Sequence, residues 1–484
     1  MMKKLSLIII LILIGDPLSA RTFFTDSTPD SNAVTDTVLT FSEYLEIVRK
    51  YHPVAKQAEL LEQEAEAELL KAKGGFEPKI YADLTEKDFD EKNYYQLIDA
   101  GLKLPTWLGV DLKTGFERAR GAYVDPQSGT PDAGLIYAGL SIPIGQGLFI
   151  DQRRADLKKA KIYRESNVVE QQIMLNDLMY DAGNAYWKWT QAFEVEKVIS
   201  RAMHIARERL KFIERSVALG DKPEIDTLEA SLQIQTLQVE LQQARLEVMK
   251  SRAELSTYLW FEGVLPMELS DNVFPGEMDE RSPVTSEVLF ADADTLLSRH
   301  PEILKTTFKI DVLNVDRKLG LEQLKPTLNV NLTPLIEPVG GAEDIRITEN
   351  NMKWGFTFEM PLLLRKQRAE LQKNGLKLKS TNLDLERKRF SLSQKYAMAT
   401  QEFETTREQS EQYRKTVLDY ERLLNAEQRK FELGESSLFL VNSRLNKYLD
   451  SRIKLIELQM KNRKSELKTW YVLGVLGNAF NPYL

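Results

Sequence analysis

The sequence predicts a mainly α-helical protein with membrane β-strands: an internally duplicated barrel of long helices, continued by a transmembrane β-barrel that several subunits share. Three observations predict this fold class: repeated motifs at fixed offsets, a long heptad repeat, and runs in which apolar and polar residues alternate. Heptads are typical of helices that pack side by side. Alternation with a period of two is typical of strands that have one apolar face.

The first twenty residues predict a secretory signal peptide. Lys3 and Lys4 precede an apolar run at residues 5–14, and the small residue Ala20 marks the expected cleavage site. This run is shorter than the roughly 20 residues that a transmembrane helix needs. We therefore expect export from the cytoplasm without a transmembrane helix, and we assign residues 21–38 to an N-terminal extension.

Bulk composition excludes several classes of function. The 484 residues carry a net charge of −7 that is spread along the chain, whereas nucleic-acid binding needs a clustered basic surface. The chain has no cysteine, which excludes disulfides, thiol catalysis and zinc–thiolate sites. The three histidines form no metal-ligand motif, and two of them, His52 and His300, precede a proline, which suggests a role at helix starts. We therefore expect no enzyme activity, no cofactor, no metal site and no nucleic-acid partner.

The chain contains two copies of one plan. The segments "RSVALGDKPEID" and "RKFELGESSLFL" share the pattern Arg-x-x-x-Leu-Gly-acid, and their glycines, Gly220 and Gly434, are 214 residues apart. His52 and His300 are 248 residues apart, and each is followed by proline. Such shared offsets indicate an internal repeat. The predicted organisation is a first repeat (39–264), a linker rich in Pro and acids (265–294), a second repeat (295–472) and a C-terminal tail (473–484).

Long helices are predicted on both sides of each Leu-Gly corner. Apolar residues recur in steps of three and four over residues 175–217, interrupted only by Glu196. A helix over residues 152–219 would be about 100 Å long. Shorter helices are predicted over residues 41–73 and 223–260, and end to end they nearly match the long one. Each repeat thus predicts one continuous rod beside one split rod, with glycine where the chain reverses.

Candidate strands lie between the helices of each repeat. In the second repeat, Met352, Trp354, Phe356 and Phe358 alternate with polar residues, and residues 327–332 continue the pattern. Residues 110–117 and 136–142 alternate in the same way in the first repeat. Runs of about ten residues match tilted strands that cross a bilayer. The alternative is a half-buried sheet in a soluble domain, and the predicted export favours the membrane.

These clearest strands number four per chain, which is too few to close a barrel. Lipid offers no hydrogen-bond partner, so a sheet edge cannot stay open within a membrane. Outer-membrane barrels have at least eight strands. We therefore predict that several copies of the chain share one β-barrel wall.

In these features the sequence resembles the TolC-like outer-membrane channels of tripartite efflux and type I secretion systems, the outer membrane factors. The resemblance covers nearly everything after about Leu39. It rests on the duplication, on "IPIGQGLFIDQRRADLKKA" as a strand leading into a helix, and on the paired Leu-Gly corners. It implies a homotrimer in the outer membrane, in which each copy gives four strands to a twelve-stranded barrel and a helical barrel extends through the periplasm.

The resemblance also implies function and partners. The channel would give passive exit to substrates that an inner-membrane pump or ABC transporter delivers. A periplasmic adaptor (membrane fusion) protein would meet the Leu-Gly corners, and outer-membrane lipid would surround the β-barrel. The linker and the C-terminal tail would form a belt around the helical barrel at mid-height.

Two groups of functional residues follow from the resemblance. The corners would form the periplasmic tips that bind the adaptor, at Arg215, Leu219, Gly220, Asp221, Arg429, Leu433, Gly434 and Glu435. The pore would narrow just beyond the corners, at Asp226, Glu229, Leu440 and Ser443. Leu440 would form an apolar constriction bordered by the two acids. The alternatives are ordinary helix-hairpin turn residues at the corners and helix packing for Leu440.

Two questions stay open at the level of the sequence. The first repeat carries an additional candidate hairpin, residues 79–88 with 94–103, which would either extend the sheet or lie at the membrane surface. The alternative function is a periplasmic coiled-coil adaptor or structural protein without a conducting pore. Adaptors also have helical hairpins, but usually one hairpin per chain together with small mixed β-domains.

Overall fold

The computed structural model describes residues 37–262, 264–276, 293–337 and 351–479. The predicted signal peptide, most of the N-terminal extension and part of the linker lie outside these residues. The described helices are α1 (Phe41–Tyr51), α2 (Pro53–Gly74), α3 (Gln152–Ala218), α4 (Glu224–Ser256), α5 (Ala293–Ser298), α6 (Pro301–Glu322), α7 (Arg365–Glu432), α8 (Leu438–Leu473) and α9 (Leu476–Ala479). The described strands are β1 (Thr37–Leu39), β2 (Lys79–Phe89), β3 (Lys92–Pro105), β4 (Asp111–Arg120), β5 (Leu135–Pro143), β6 (Trp260–Phe261), β7 (Leu265–Pro266), β8 (Val273–Pro275), β9 (Thr327–Ile336) and β10 (Met352–Glu359).

Two long helices organise the fold. α3 has 67 residues and α7 has 68, so each is about 100 Å long. The shorter helices α2 and α4 pack along α3, and α6 and α8 pack along α7 in the same way. α3 also contacts α6 and α8, and these contacts join the two repeats. The prediction of a continuous rod beside a split rod in each repeat is confirmed.

The predicted helix over residues 41–73 is interrupted at His52. Its backbone is extended there, because a following proline disfavours the helical conformation. His52 Nδ1 accepts a hydrogen bond from the Val54 N–H at 3.2 Å, and His300 Nδ1 accepts one from the Glu302 N–H at 3.2 Å. Burial lowers the pKa of both imidazoles, which favours the neutral form that accepts this bond. The predicted role of both histidines at helix starts is confirmed.

The heptad seam of α3 faces the neighbouring helices. Every predicted position between residues 175 and 217 is buried or half-buried. Glu196, the one charged position of the seam, lies 3.5 Å from the Arg245 guanidinium of α4. The seam therefore packs as predicted, with its one acid in an ion pair. No helix in the described part of the chain combines the length and apolar character that crossing a membrane requires.

Six strands form one antiparallel sheet in the order β10-β9-β5-β4-β3-β2. The sheet therefore has two strands more than the four clearest candidates, and this answers the open question of whether the additional hairpin extends the sheet. The additional hairpin of the first repeat is β2–β3, and it pairs with β4 at one edge of the sheet. Alternation within a segment predicts a strand, but it does not reveal which other strand will pair with it.

The two faces of this sheet differ in polarity, as the alternation predicted. Neighbouring register positions place apolar residues of all six strands on one face: Ile80, Leu102, Leu112, Leu140, Leu332 and Trp354. Ile80 is 87% exposed and Trp354 is 71% exposed in the single chain. The sheet thus presents a continuous apolar face that no other described element covers.

A buried core lies near the middle of the long helices. It contains Trp189 of α3, Trp470 of α8 and Tyr44 of α1, each 2% exposed or less. β1 pairs with β8 beside this core, and the Tyr186 hydroxyl donates a hydrogen bond to the Leu39 carbonyl at 2.9 Å. The end of the N-terminal extension and part of the linker are therefore held together against α3.

Candidate functional site

The first Leu-Gly corner ends α3 with a Schellman motif. The Gly220 N–H donates to the Val217 carbonyl at 2.9 Å, and the Asp221 N–H donates to the Ser216 carbonyl at 2.9 Å. Gly220 has φ +79°, a left-handed conformation that residues with a Cβ atom rarely adopt. The chain then enters α4 at Glu224, five intervening residues after the end of α3.

The second corner repeats this geometry at the end of α7. The Gly434 N–H donates to the Phe431 carbonyl at 3.2 Å, and the Glu435 N–H donates to the Lys430 carbonyl at 2.8 Å. Gly434 has φ +77°. At Gly220 and at Gly434, the space that a Cβ would occupy has no other atom within 4 Å. The two corners are therefore one motif built twice, and both leave their backbone open to solvent.

Exposed side chains surround each corner. Leu219 is 78% exposed and Leu433 is 74% exposed. The position of these leucines at a helix end does not by itself require such exposure. The charged residues of the predicted tips are also exposed: Arg215, Asp221, Arg429 and Glu435. The structure thus places all eight predicted tip residues at the ends of the helical hairpins.

Two further exposed residues extend this surface, and neither was predicted from the sequence. Ile225 of α4 and Phe439 of α8 are each 66% exposed. They are 214 residues apart, the offset that relates the two corners. That offset could have identified both residues from the sequence. We use the name tip surface for the eight predicted residues together with Ile225 and Phe439.

A cation–π contact joins the two corners. The Lys222 ammonium lies 3.6 Å from the centroid of the Phe431 ring. Phe431 is buried at the end of α7, whereas Lys222 belongs to the turn between α3 and α4. Because such contacts are attractive, the two hairpin ends hold each other in place.

The two acids predicted to border the constriction lie on the first turns of α4. Asp226 and Glu229 are both half-buried. Loss of solvent contact and the nearby Asp226 carboxylate together raise the pKa of Glu229, although a hydrogen bond with the Asn442 side chain opposes this shift. A raised pKa means that protonation of Glu229 favours the packed tip as the pH falls.

Asn442 connects the helices behind these acids. It is a buried residue of α8, and its Oδ1 accepts a hydrogen bond from the Arg209 guanidinium of α3 at 3.4 Å. Burial lowers the pKa of Arg209. Arg209, Asn442 and Glu229 therefore link α3, α8 and α4 just above the corners, and neither Arg209 nor Asn442 was predicted from the sequence.

Leu440 and Ser443 lie on the first two turns of α8. Leu440 is 40% exposed, and its N–H donates to Ser437 Oγ, the side chain that caps α8, at 3.4 Å. Ser443 is exposed. The structure brings Glu229 beside Asn442, the residue before Ser443. The apolar side chain of Leu440 is partly exposed to solvent. Among the described residues, no group of three or more acidic or histidine side chains is arranged to hold a metal ion.

Solved structures, unlike sequences, match this chain. No protein-family model and no curated protein matches the sequence. The Campylobacter jejuni CmeC outer membrane channel has a TM-score of 0.63 and 14% identity, covering 90% of this chain and 85% of that chain. The outer-membrane channel OprN gives 0.67 and 15%, covering 91% of each chain. The open state of the Neisseria gonorrhoeae MtrE outer membrane channel gives 0.65 and 13%, covering 94% of this chain and 95% of that chain.

These matches extend over nearly all of the described chain. At such low identity they establish the fold, and that fold is the one of the TolC-like outer-membrane channels. The resemblance inferred from the Leu-Gly corners and the duplication is confirmed at this level.

Proposed function

We propose that this protein is the outer-membrane channel subunit of a tripartite efflux or type I secretion system. In this proposal it gives passive exit across the periplasm and outer membrane to substrates that an inner-membrane pump or ABC transporter delivers. The observation that carries the proposal is that one chain combines a sheet with an exposed apolar face and helical rods about 100 Å long. No catalytic step is part of this function.

The exposed apolar face supports an outer-membrane location for the sheet. Six strands cannot close a barrel, because outer-membrane barrels have at least eight. Open strand edges are not tolerated in lipid. A homotrimer would close the wall, and the rods of its three copies would form a tube that extends into the periplasm.

The most direct test combines membrane fractionation with conductance in a planar bilayer. We expect the full-length protein to resist salt and alkaline washing, to run as a detergent-stable trimer and to conduct ions. A water-soluble protein that never conducts would contradict the proposal. That result would favour the alternative of a periplasmic coiled-coil adaptor or structural protein.

The tip surface is the proposed adaptor-binding site. Its exposed leucines and open glycine backbones offer an apolar patch and unshielded main chain, which suit the end of another helical hairpin. Exposed apolar residues of this kind commonly mark interaction sites when they cluster. The charges at Arg215, Asp221, Arg429 and Glu435 would orient the partner.

We expect the double substitution Leu219→Glu and Leu433→Glu to abolish adaptor binding, because it places a carboxylate in the centre of each apolar contact. Chemical cross-linking in native cells, followed by purification of the channel, would measure the adaptor that co-purifies. The control is Leu383→Glu, since Leu383 is 72% exposed on α7 but lies about 75 Å from the corner.

Both variants should form trimers with the conductance of the parent protein. If the double variant retains its adaptor at the level of the control, the corners are turn residues only and the docking assignment is wrong.

The second proposed site is an apolar constriction at Leu440. Three copies of its side chain would form an apolar ring at the periplasmic end, and narrow apolar rings resist wetting. Asp226 and Glu229 would border this ring and favour cations near it. The links from Arg209 through Asn442 to Glu229 would keep the hairpins closed together.

We expect Leu440→Ser to raise the single-channel conductance several-fold, because a hydroxyl ring is wetted more easily than a leucine ring. Purified trimers in planar bilayers provide the measurement. Phe439→Ser is the matched control, since the neighbouring side chain is also exposed but is not proposed to face the pore. Intact Leu440→Ser trimers that conduct no better than the parent would remove the constriction assignment and leave helix packing as the role of Leu440.

A further inference from the structure

A row of residues on the polar face of the sheet connects the β2–β3 hairpin to the other strands. Tyr81, Gly101, Gly115 and Tyr137 occupy consecutive register positions across β2, β3, β4 and β5. The two tyrosine hydroxyls contact each other above the two glycines. A Cβ on Gly101 would lie 2.7 Å from the Tyr81 hydroxyl oxygen, and one on Gly115 would lie 2.7 Å from the Tyr137 hydroxyl oxygen. The glycines are therefore required for the tyrosine rings to cross the sheet.

Charged groups extend this row into a polar cluster. The Tyr137 hydroxyl donates to Asp99 Oδ1 at 2.5 Å, and the Tyr81 hydroxyl lies 3.3 Å from the same atom. The Lys113 ammonium lies 3.2 Å from Asp99 Oδ2. The cluster therefore takes one side chain from each of the strands β2, β3, β4 and β5. Moving the hairpin out of the sheet would break this cluster together with the ten register pairs between β3 and β4.

The opposite face of the hairpin continues the apolar band. Ile80 and Leu84 of β2 are exposed on that face. At the far end of the hairpin, the rings of Phe89, Tyr94 and Tyr123 pack together, with centroids 5.7 Å and 4.7 Å apart. Aromatic residues at the ends of an apolar band are typical of strands in an outer membrane. The hairpin thus has the surface of a membrane wall, with a polar inside and an apolar outside.

The strand order decides which strands of the sheet can pair with a neighbouring copy of the chain. In the described residues, β2 and β10 are each paired on one side only, whereas β4 is already paired on both sides. Because all neighbours are antiparallel and six is an even number, β2 and β10 run in opposite directions. β10 of one copy can therefore pair with β2 of the next copy in the antiparallel manner of the rest of the wall.

We propose that three copies of this chain close an eighteen-stranded barrel, with β10 of each copy paired to β2 of the next, instead of the twelve-stranded barrel that the family resemblance implies. This inference rests on the proposed trimeric channel. Barrel diameter grows roughly linearly with strand number, so the outer-membrane lumen is about half as wide again as that of a twelve-stranded wall. The widening is confined to the outer-membrane end, because the constriction proposed at Leu440 lies at the periplasmic end.

Cysteine cross-linking tests the pairing, and the chain has no native cysteine that could form competing disulfides. Thr357→Cys on the polar face of β10 is combined in turn with Lys79→Cys, Asp83→Cys or Thr85→Cys on the polar face of β2. The set scans the register along β2. We expect at least one pair to give covalent dimers and trimers on non-reducing gels, and the single-cysteine variants to give no trimers.

The competing arrangement is tested with the same β10 cysteine. Thr357→Cys with Glu117→Cys on β4 would cross-link between copies only if the wall has twelve strands and the hairpin lies outside it. That product, or trimers without any β10–β2 cross-link, would overturn the proposal. Thr85→Cys with Leu97→Cys, which are register partners within one chain, controls for oxidation.

A second measurement counts strands directly. Electron cryo-microscopy of the detergent-solubilised protein, viewed along the barrel axis, distinguishes eighteen strands from twelve. A conducting trimer with twelve strands would refute this inference but leave the proposed function intact. A protein that forms no membrane oligomer would instead refute the proposed function.

Discussion

Gly115→Val is expected to prevent assembly of the proposed outer-membrane trimer. The branched side chain would collide with the Ala100 carbonyl oxygen, the Tyr137 hydroxyl and the Gly101 backbone, all of which lie less than 3.0 Å from the position of a Cβ. Backbone atoms in the middle of a sheet cannot move away as the end of a flexible side chain can. Overpacking costs about 1–3 kcal/mol in ordinary cores, and each copy of the proposed trimer would carry the clash.

The amount of heat-sensitive, detergent-stable trimer in purified outer membranes measures this effect. Gly355→Val is the matched control, because Gly355 lies on the same polar face but a Cβ added there would have no other atom of the single chain within 4 Å. We expect near-normal trimer from the control and almost none from Gly115→Val. Equal amounts from both would mean that the Tyr81–Tyr137 row does not hold the wall together.

Trp470→Ala is expected to destabilise the helical part of the protein by about 3–5 kcal/mol, the usual cost of deleting a buried Trp side chain. Trp470 is 2% exposed and lies in the core that joins α1, α3 and α8. The substitution leaves a cavity where the two repeats meet. Denaturant unfolding of the detergent-solubilised protein, followed by helical circular dichroism, provides the measurement.

Trp470→Phe serves as the control for this prediction. In the described part of the chain the Trp470 indole N–H is buried and has no hydrogen-bond partner. Phenylalanine keeps most of the ring and removes this unpaired donor, whose burial itself costs free energy. We expect the Phe variant to lose much less stability than the Ala variant. An Ala variant as stable as its parent would show that the core does not join the repeats energetically.

Local patterns predicted the helical part of the fold well. The 3.5-residue repeat of α3 predicted its buried face, including the position of Glu196, because neighbours along a helix are neighbours in sequence. The two Leu-Gly corners predicted the reversals at Gly220 and Gly434 for the same reason. The helix predicted over residues 41–73 ran through His52, although the His-Pro pair itself indicated a helix start there.

Long-range contacts were much less accessible from the sequence. Alternation identified the β2–β3 hairpin as two strands, but their pairing with β4 depends on residues that lie far apart in the chain. The site shows the same division. The eight predicted tip residues lie at the corners, whereas Arg209 and Asn442 contribute through a contact between helices more than 200 residues apart in sequence.

The sequence by itself determined the rods, the two glycine corners and the apolar and polar faces of each strand, because each of these depends on side chains within a few residues of one another. Only the tertiary structure decided that six strands form one sheet, that tyrosines cross this sheet above paired glycines, and that the two repeats share one core. Those features depend on which distant surfaces fit together, and shape complementarity between distant segments leaves no periodic trace in either segment.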